Sequence, residues 1–267
     1  MKETIGSIGY GNMAEALLGG MRAGGRVLAE QIVAFDPAET RRQAAAAAGI
    51  ETAADNVSVA RRADILLLAV KPNMVAKVCG EIRGELRSET VVLSIAAGVS
   101  MKDLAGWLGE GTKIVRVMPN TAALVNEAMC AYCVSASVTD EEKALAESLL
   151  SCCGLAEEVS EKLMDTVTGI SGSSPAYTYM YIEALADGAV AEGMPRAQAY
   201  RFAAQAVLGA AKMVLETGQH PGALQDAVCS PGGTTIEAVA VLEEMGFRSA
   251  VIEAERACIE KSRDLGK

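Results

Sequence analysis

The chain has 267 residues, enough for one large domain or two ordinary ones; half of it is hydrophobic and only 4% is aromatic. A formal net charge of −10 argues against nucleic acid and anionic membrane as partners, so a small acidic substrate must find local donors rather than a global positive field. No apolar stretch is long enough for a bilayer span, no secretory leader is legible in Met1–Tyr10, and seven irregularly spaced cysteines fit free thiols in a reducing cytoplasm.

Glu3–Gly9 reads as a short apolar strand. Gly9-Tyr10-Gly11-Asn12-Met13-Ala14 follows at once, a G-x-G-x-x-A run that opens a helical pattern over Ala14–Met21. Dinucleotide chemistry needs a tight turn at the first glycine and close backbone approach to a pyrophosphate at the second. It also needs a small residue at the sixth position, where helix and strand pack. The next strand, Ile32–Phe35, ends at Asp36, where an acidic side chain hydrogen-bonds an adenosine ribose and repels a 2′-phosphate. Arg41 and Arg42 follow closely and would attract that same phosphate, so the loop leaves NADH and NADPH both open. Asp36-Pro37 also suits a plain helix cap for Ala38–Ala48.

The alternation continues. A short helix follows Asp55-Asn56, and strand Ile65–Val70 is apolar throughout, as a buried parallel strand should be. Lys71-Pro72 then starts a helix to about Leu86. Strand Val91–Ile95 ends in the small-residue turn Ala96-Ala97-Gly98, where a flat ring can approach. Helix Lys102–Leu108 and strand Lys113–Val117 lead to Met118-Pro119-Asn120-Thr121. Strand Ala128–Ser135, helix Asp140–Ser151 and strand Ala156–Val159 complete the sheet. This is the pattern of a doubly wound α/β fold of Rossmann type, with its ligand crevice at the carboxyl ends of the strands. Cys130 and Cys133 have C-x-x-C spacing without a second pair, and both they and Cys152-Cys153 read as core thiols. No metal-ligating set is readable.

From Lys162 the strand signal stops. Glu161–Gly169 reads as a helix, and Ser171-Gly172-Ser173-Ser174-Pro175 as a break. Ala176–Ala191 is a long, largely apolar helix that should be buried on most faces, which implies a partner subunit. Gly193-Met194-Pro195 separates it from Arg196–Glu216. Helices Ala223–Cys229, Thr235–Met245 and Ser249–Leu265 complete an all-α half. The expected domains are therefore 1–160, dinucleotide-binding, and 161–267, helical. Between two of those helices lies Ser230-Pro231-Gly232-Gly233-Thr234-Thr235, which cannot stay helical because the proline removes a donor and the glycines relax the backbone. A helix start beside two hydroxyls suits a carboxylate; the plainer alternative is a capped turn.

Taken together these motifs resemble the pyrroline-5-carboxylate reductase family over nearly the whole chain. The likeness rests on Ile8–Met13, Ala69–Pro72, Ser94–Val99, Arg116–Thr121, Ser171–Tyr177, Leu185–Gly188 and Ser230–Thr235. Ala122 departs from the usual pattern, which has proline there, and so does Ser174, where glycine is usual. The resemblance implies reduction of the cyclic imine of 1-pyrroline-5-carboxylate to L-proline by NADPH or NADH, in a cytoplasmic enzyme with no nucleic-acid or membrane partner. It implies a helical dimerisation domain, a site completed by a neighbouring subunit, and dimers assembled into a decamer. Carried over, Gly9, Gly11, Asn12 and Met13 hold the pyrophosphate and Asp36 lies by the ribose. Asn56, Val70, Lys71, Pro72, Ala96 and Ala97 line the cofactor path. Ser230, Gly232, Gly233, Thr234 and Thr235 bind the substrate, with Glu161 as a further contact and Thr235 as the catalytic residue.

The chemistry agrees from below. Hydride transfer to a C=N bond asks the protein to align the carbon, hold the carboxylate and hydrogen-bond the nitrogen. A threonine hydroxyl is a poor acid, so Thr235 is expected to orient the substrate or relay a proton. A related imine reductase or a β-hydroxyacid dehydrogenase would call instead on an acid–base among Lys162, Lys212 and His220, the chain's one histidine. A nucleotide-sensing protein would need none.

Overall fold

The computed structural model describes residues 3–265. Its strands are β1 (Ile5–Ile8), β2 (Ile32–Phe35), β3 (Glu51–Thr52), β4 (Ile65–Leu68), β5 (Val91–Ser94), β6 (Lys113–Met118), β7 (Ala128–Val134) and β8 (Gly154–Glu158). They form one sheet in the order β3-β2-β1-β4-β5-β6-β7-β8. The first six run parallel; β7 pairs antiparallel with β6, and β8 runs parallel to β7. Strand order reverses between β1 and β4, the place where such a sheet opens a crevice. The expected doubly wound domain is therefore what the chain forms.

The helices of this part are α1 (Asn12–Ala23), α2 (Glu39–Ala47), α3 (Asn56–Arg62), α4 (Pro72–Ile82), α5 (Met101–Leu108) and α6 (Asp140–Leu150). They cover both faces of the sheet, which explains why β4 is Ile-Leu-Leu-Leu without alternation. Ile65 and Leu67 pack into one core with Leu17 and Leu18 of α1 and Leu149 of α6. Leu66 and Leu68 pack into the other with Val59 of α3, Val75 of α4 and Leu104 of α5. Each such side chain, fully withdrawn from water, contributes about 1.5–3 kcal/mol. Serine, threonine and aspartate caps close several helices: Asp55 accepts from Ser58 N–H at 2.7 Å, and Ser100 and Thr139 open capping boxes with Asp103 and Glu142.

Among the elements that escaped sequence reading are two in the sheet half. The strand β3 has only two residues, both exposed, and so carries no burial pattern. Thr121–Val125 forms a 3₁₀ turn in which Ala122 N–H donates to Asn120 Oδ1 at 3.2 Å, a bond that the usual proline at this position would not make.

The break expected at Ser171–Pro175 is not there. A 3₁₀ turn (Glu161–Leu163), α7 (Met164–Val167) and a π-helical turn (Thr168–Ser173) lead straight into α8 (Ser174–Ala191). In a regular helix residue 175 would donate to the Ser171 carbonyl, and Pro175 has no N–H to give. That carbonyl accepts instead from Asn120 Nδ2 at 3.0 Å. A side chain from just past the carboxyl end of β6 thus replaces the missing donor, and the widened turn accommodates the ring.

By compactness the chain divides into residues 3–173 together with the end of the last helix from Cys258, and residues 174–257. The change from strands to helices at Glu161 is thus not the line between the compact bodies. Residues past it are tied to the sheet body by Arg116 Nη1 to Glu161 Oε1 (3.1 Å), while Ser262 Oγ donates to Asp165 Oδ1 (2.7 Å). The second unit comprises α8, α9 (Arg196–Thr217), α10 (Pro221–Val228), α11 (Thr234–Glu244) and most of α12 (Phe247–Leu265). Burial of α8 on most faces is not achieved within one chain: Ala186 is its one buried residue, and Met180 is 69% exposed.

No helix among the described residues is long and apolar enough to cross a membrane. All seven cysteines are free, with Cys79, Cys130, Cys133 and Cys153 buried as core thiols and Cys152 partly so. Among the described residues no group of three or more His, Cys, Asp or Glu side chains is placed to hold a metal ion.

Candidate active site

A cleft of about 830 Å³ opens at the carboxyl ends of β1, β2 and β4. Gly9, Gly11, Asp36, Asn56, Val70 and Lys71, all expected at the cofactor, line it, and so does Arg41. Gly9 has φ +90°, and a Cβ there would stand 2.6 Å from the Ala69 carbonyl oxygen, so the turn admits only glycine. Gly11 is glycine for another reason. It is the N-cap of α1, no side chain caps that helix, and a Cβ on it would meet no protein atom within 4 Å. The packing of the chain leaves that position free; a bound group passing over it would not. Unpaired N–H groups at the start of a 12-residue helix, reached over a bare backbone, fit a pyrophosphate.

The other predicted cofactor residues contribute differently. Asn12 is exposed, and its Oδ1 accepts from Arg41 Nη2 at 2.7 Å. Met13 packs its side chain on one core and Ala96 is buried in the other, so each offers backbone alone. Pro72 is the first residue of α4, where its missing N–H costs nothing. Neither Pro72 nor Ala97 is among the cleft's lining residues. Sequence reasoning missed Lys77 and Glu81, one turn apart on α4 and both on the cleft wall. Glu81 Oε2 accepts from Asn56 Nδ2 at 2.7 Å and so fixes the amide. The i,i+4 charge spacing was visible, but which face of α4 met the cleft was not. Asp55, also on the wall, is held below the usual carboxylate range by hydrogen bonds from Ser58.

Glu161, expected as a substrate contact, has Oε1 engaged by Met101 N–H at 2.6 Å and by Arg116 Nη1 at 3.1 Å. It ties the start of α5 to β6.

The Ser230 loop lies in the helical unit. After α10 the chain turns at Gly232, φ +66°, and Gly233 N–H donates to the Ser230 carbonyl at 3.0 Å. A Cβ on Gly233 would collide with Ser230 Oγ, so this glycine lets the serine hydroxyl fold over the turn. Gly233 is the N-cap of α11 and no side chain caps it, although Ser230, Thr234 and Thr235 stand beside it. A helix of 11 residues therefore presents open N–H donors and three hydroxyls at one place. Two of the other acid–base candidates have other employment. His220 Nδ1 accepts from Gly222 N–H at 3.0 Å as the cap of α10, and Lys212 pairs with Glu216 at 3.3 Å on an exposed face.

Comparison with known proteins agrees with both halves. The family described as pyrroline-5-carboxylate reductase dimerisation matches residues 161–265, and the one described as NADP oxidoreductase, coenzyme F420-dependent, matches residues 4–98. The pyrroline-5-carboxylate reductase of Escherichia coli is 54% identical over the full length of both chains. Two solved structures superpose over the full length of both chains: the Coxiella burnetii pyrroline-5-carboxylate reductase (TM-score 0.92, 35% identity) and the Plasmodium falciparum pyrroline carboxylate reductase with NADP bound (TM-score 0.91, 32% identity). A prephenate dehydrogenase from Aquifex aeolicus, 15% identical with a TM-score of 0.57, shares the fold alone. With identity of this order along its whole length, the chain belongs to the pyrroline-5-carboxylate reductase family.

Proposed function

We infer that the chain is an oxidoreductase that reduces the cyclic imine of 1-pyrroline-5-carboxylate to L-proline with NADPH or NADH, the last step of proline biosynthesis. The observation that carries this reading is the uncapped N-terminus of α11 behind a Ser-Pro-Gly-Gly turn. A helix that leaves its own Ser and Thr side chains unused as caps keeps its donors for an anion, and the substrate carboxylate is that anion.

The roles then follow from the residues. Main-chain N–H groups of Gly232, Thr234 and Thr235, with the Ser230 hydroxyl, hold the carboxylate and the ring, while Gly233, whose own N–H closes the turn onto Ser230, brings the bare backbone against them. Thr235 Oγ1 hydrogen-bonds the ring nitrogen, which gains a proton as the neighbouring carbon is reduced; the hydroxyl orients it and passes a proton on from water, being too weak an acid to act alone. Reduced nicotinamide, when bound, supplies the hydride. Gly9, Gly11, Asn12 and Met13 seat the pyrophosphate, Asp36 the ribose, and Asn56, Val70 and Lys71 the cofactor within the cleft, while Pro72, Ala96 and Ala97 bound its path beyond the cleft lining. Glu161 acts through Arg116 and α5 as a strut, in place of the direct substrate contact that the sequence suggested.

The functional domains are 1–160 for the cofactor and 161–267 for association and substrate. The dimerisation family's match to residues 161–265 supports that division. The same match supports a homodimer, and we extend it to a decamer built of dimers in the cytoplasm.

The test is a rate assay on purified protein with 1-pyrroline-5-carboxylate, following oxidation of NADH and NADPH in parallel and proline as product. Proline formation with at least one of them is expected. Absence of turnover with both, at protein concentrations that bind dinucleotide, would sink the assignment.

A further inference from the structure

The sequence leaves one loop contested, with Asp36 favouring a ribose 2′-hydroxyl and Arg41–Arg42 favouring a 2′-phosphate. The side chains settle into different jobs. Asp36 follows β2 on the wall of the cleft, where its Oδ2 accepts from Tyr10 N–H at 2.8 Å and its Oδ1 from Ala38 N–H at 2.9 Å. These bonds lock the carboxylate between the glycine turn and the start of α2. Each carboxylate oxygen has two lone pairs, so each can accept once more. Arg42 is turned into its own loop. Its Nη1 donates to the carbonyls of Asp36 (2.7 Å) and Pro37 (2.9 Å), its Nη2 pairs with Glu39, and its guanidinium lies 6.0 Å from the Phe35 ring centroid. Arg41 reaches across to α1, where Nη2 donates to Asn12 Oδ1 and Nη1 lies 3.7 Å from Glu15. Neither arginine pairs with the Asp36 carboxylate.

We propose that Asp36 makes the adenosine end of this cleft selective for NAD(H) over NADP(H), with Arg42 serving only to shape the loop and Arg41 to bridge it to α1. Hydroxyls at the ribose 2′ and 3′ positions donate to the carboxylate, whereas a 2′-phosphate would bring two negative charges onto it. The cleft as a whole carries no net positive charge to offset that repulsion. Arg41, Lys71 and Lys77 line it, but so do Asp36, Asp55 and Glu81, leaving no surplus of positive charge. This inference rests on the reading of the cleft as the dinucleotide site and says which dinucleotide it prefers.

The experiment is isothermal calorimetry of the full-length protein with NAD⁺ and with NADP⁺, independent of any turnover. NAD⁺ is expected to bind at least about tenfold more tightly, the usual scale on which a juxtaposed like charge discriminates. Asp36→Asn keeps a near-isosteric acceptor without the charge and should lower that preference by about tenfold or more. Asp36→Ser, checked by its melting temperature, guards against an effect of loop disorder and should do the same. Tighter NADP⁺ binding by the wild type overturns the proposal, as does an unchanged ratio in both variants. Loss of NADP⁺ affinity alone in Arg41→Ala would hand the phosphate to Arg41 and equally overturn it. If neither dinucleotide binds the wild type, the reading of the cleft itself has failed, a result distinct from all of these.

Discussion

The two compact units bury their apolar residues in different ways. In the sheet unit the large side chains close on one another: Ile8, Leu17, Leu18, Leu66 and Leu68 are essentially inaccessible to water. In residues 174–257 the buried set is Ala186, Ala199 and Ala203, while Leu215 and Met245 are about three-quarters exposed, at 76% and 75%. A body whose buried residues are all alanines has little hydrophobic stabilisation of its own. One unit is thus built to fold as a monomer, and the other to be finished by association, as the dimerisation family's match to this part of the chain agrees.

The largest effect should come from charging the unfinished surface. Met180→Glu or Leu215→Glu places an unpaired carboxylate where a partner's apolar side chains would rest, at a cost of several kcal/mol when buried. Light scattering should report smaller species with association weakened by 100-fold or more, on the order expected from that cost. An unchanged oligomer in both variants would mean that these residues lie off the interface. By contrast, Leu66→Ala in the sheet unit should cost about 2–5 kcal/mol of stability through the cavity it leaves. Its melting temperature should fall by the same amount at low and high protein concentration. That of the Met180 variant should depend on concentration far less than the wild type's.

The comparison extends to function, since the proposed cofactor cleft and the proposed substrate loop belong to different units. Thr235→Ala removes a hydroxyl from the loop and should lower kcat/KM by about tenfold to a thousandfold. NAD(P)H affinity, measured by calorimetry, should stay within about twofold, because the cleft loses nothing. An equal loss of cofactor affinity would show that the loop's role is not confined to substrate. Asn120→Ala should cost less, about 1–3 kcal/mol, as it strips the Ser171 carbonyl of its donor beside Pro175. Asn120→Asp, which also lacks the amide donor, should be no better; rescue by it would refute this account of how the helix tolerates its proline.

How much of this was legible beforehand follows the range of the interactions. The glycine turn, the unbroken apolar run of β4 and the Ser-Pro-Gly-Gly loop are local patterns whose physics lies within a few residues, and each stands where the sequence predicts. The continuity from the π-turn into α8 was not legible, because Asn120 and Ser171 are 51 residues apart and proline rules count only local donors. Glu161 escaped for the same reason: its partners Met101 and Arg116 are 60 and 45 residues away. Even Asp36, correctly placed on the cleft, gave no hint that Tyr10 and Ala38 would hold it rigidly, or that two neighbouring arginines would face elsewhere.

The smallest effect distinguishes the units by pH. In the sheet unit burial pushes the Cys79 and Cys153 thiols up to about 12 and those of Cys130 and Cys133 up to about 11, from an ordinary value of 9.0. The folded state therefore holds these protons more tightly than the unfolded chain does. Their contribution is fully present below about pH 9 and is lost as pH rises through that value towards about 11 to 12, because the unfolded state ionises first. Denaturant midpoints should thus be flat between pH 7 and pH 8 as far as these groups are concerned, and decline above pH 9. At pH 8 iodoacetamide should leave all four unmodified in the native protein, as read by mass spectrometry of peptides, because alkylation needs an accessible thiolate. Rapid native-state labelling of Cys130 or Cys153 would show that the sheet unit opens far more readily than its closed core implies, and the contrast between the two units would then fail on its stronger side.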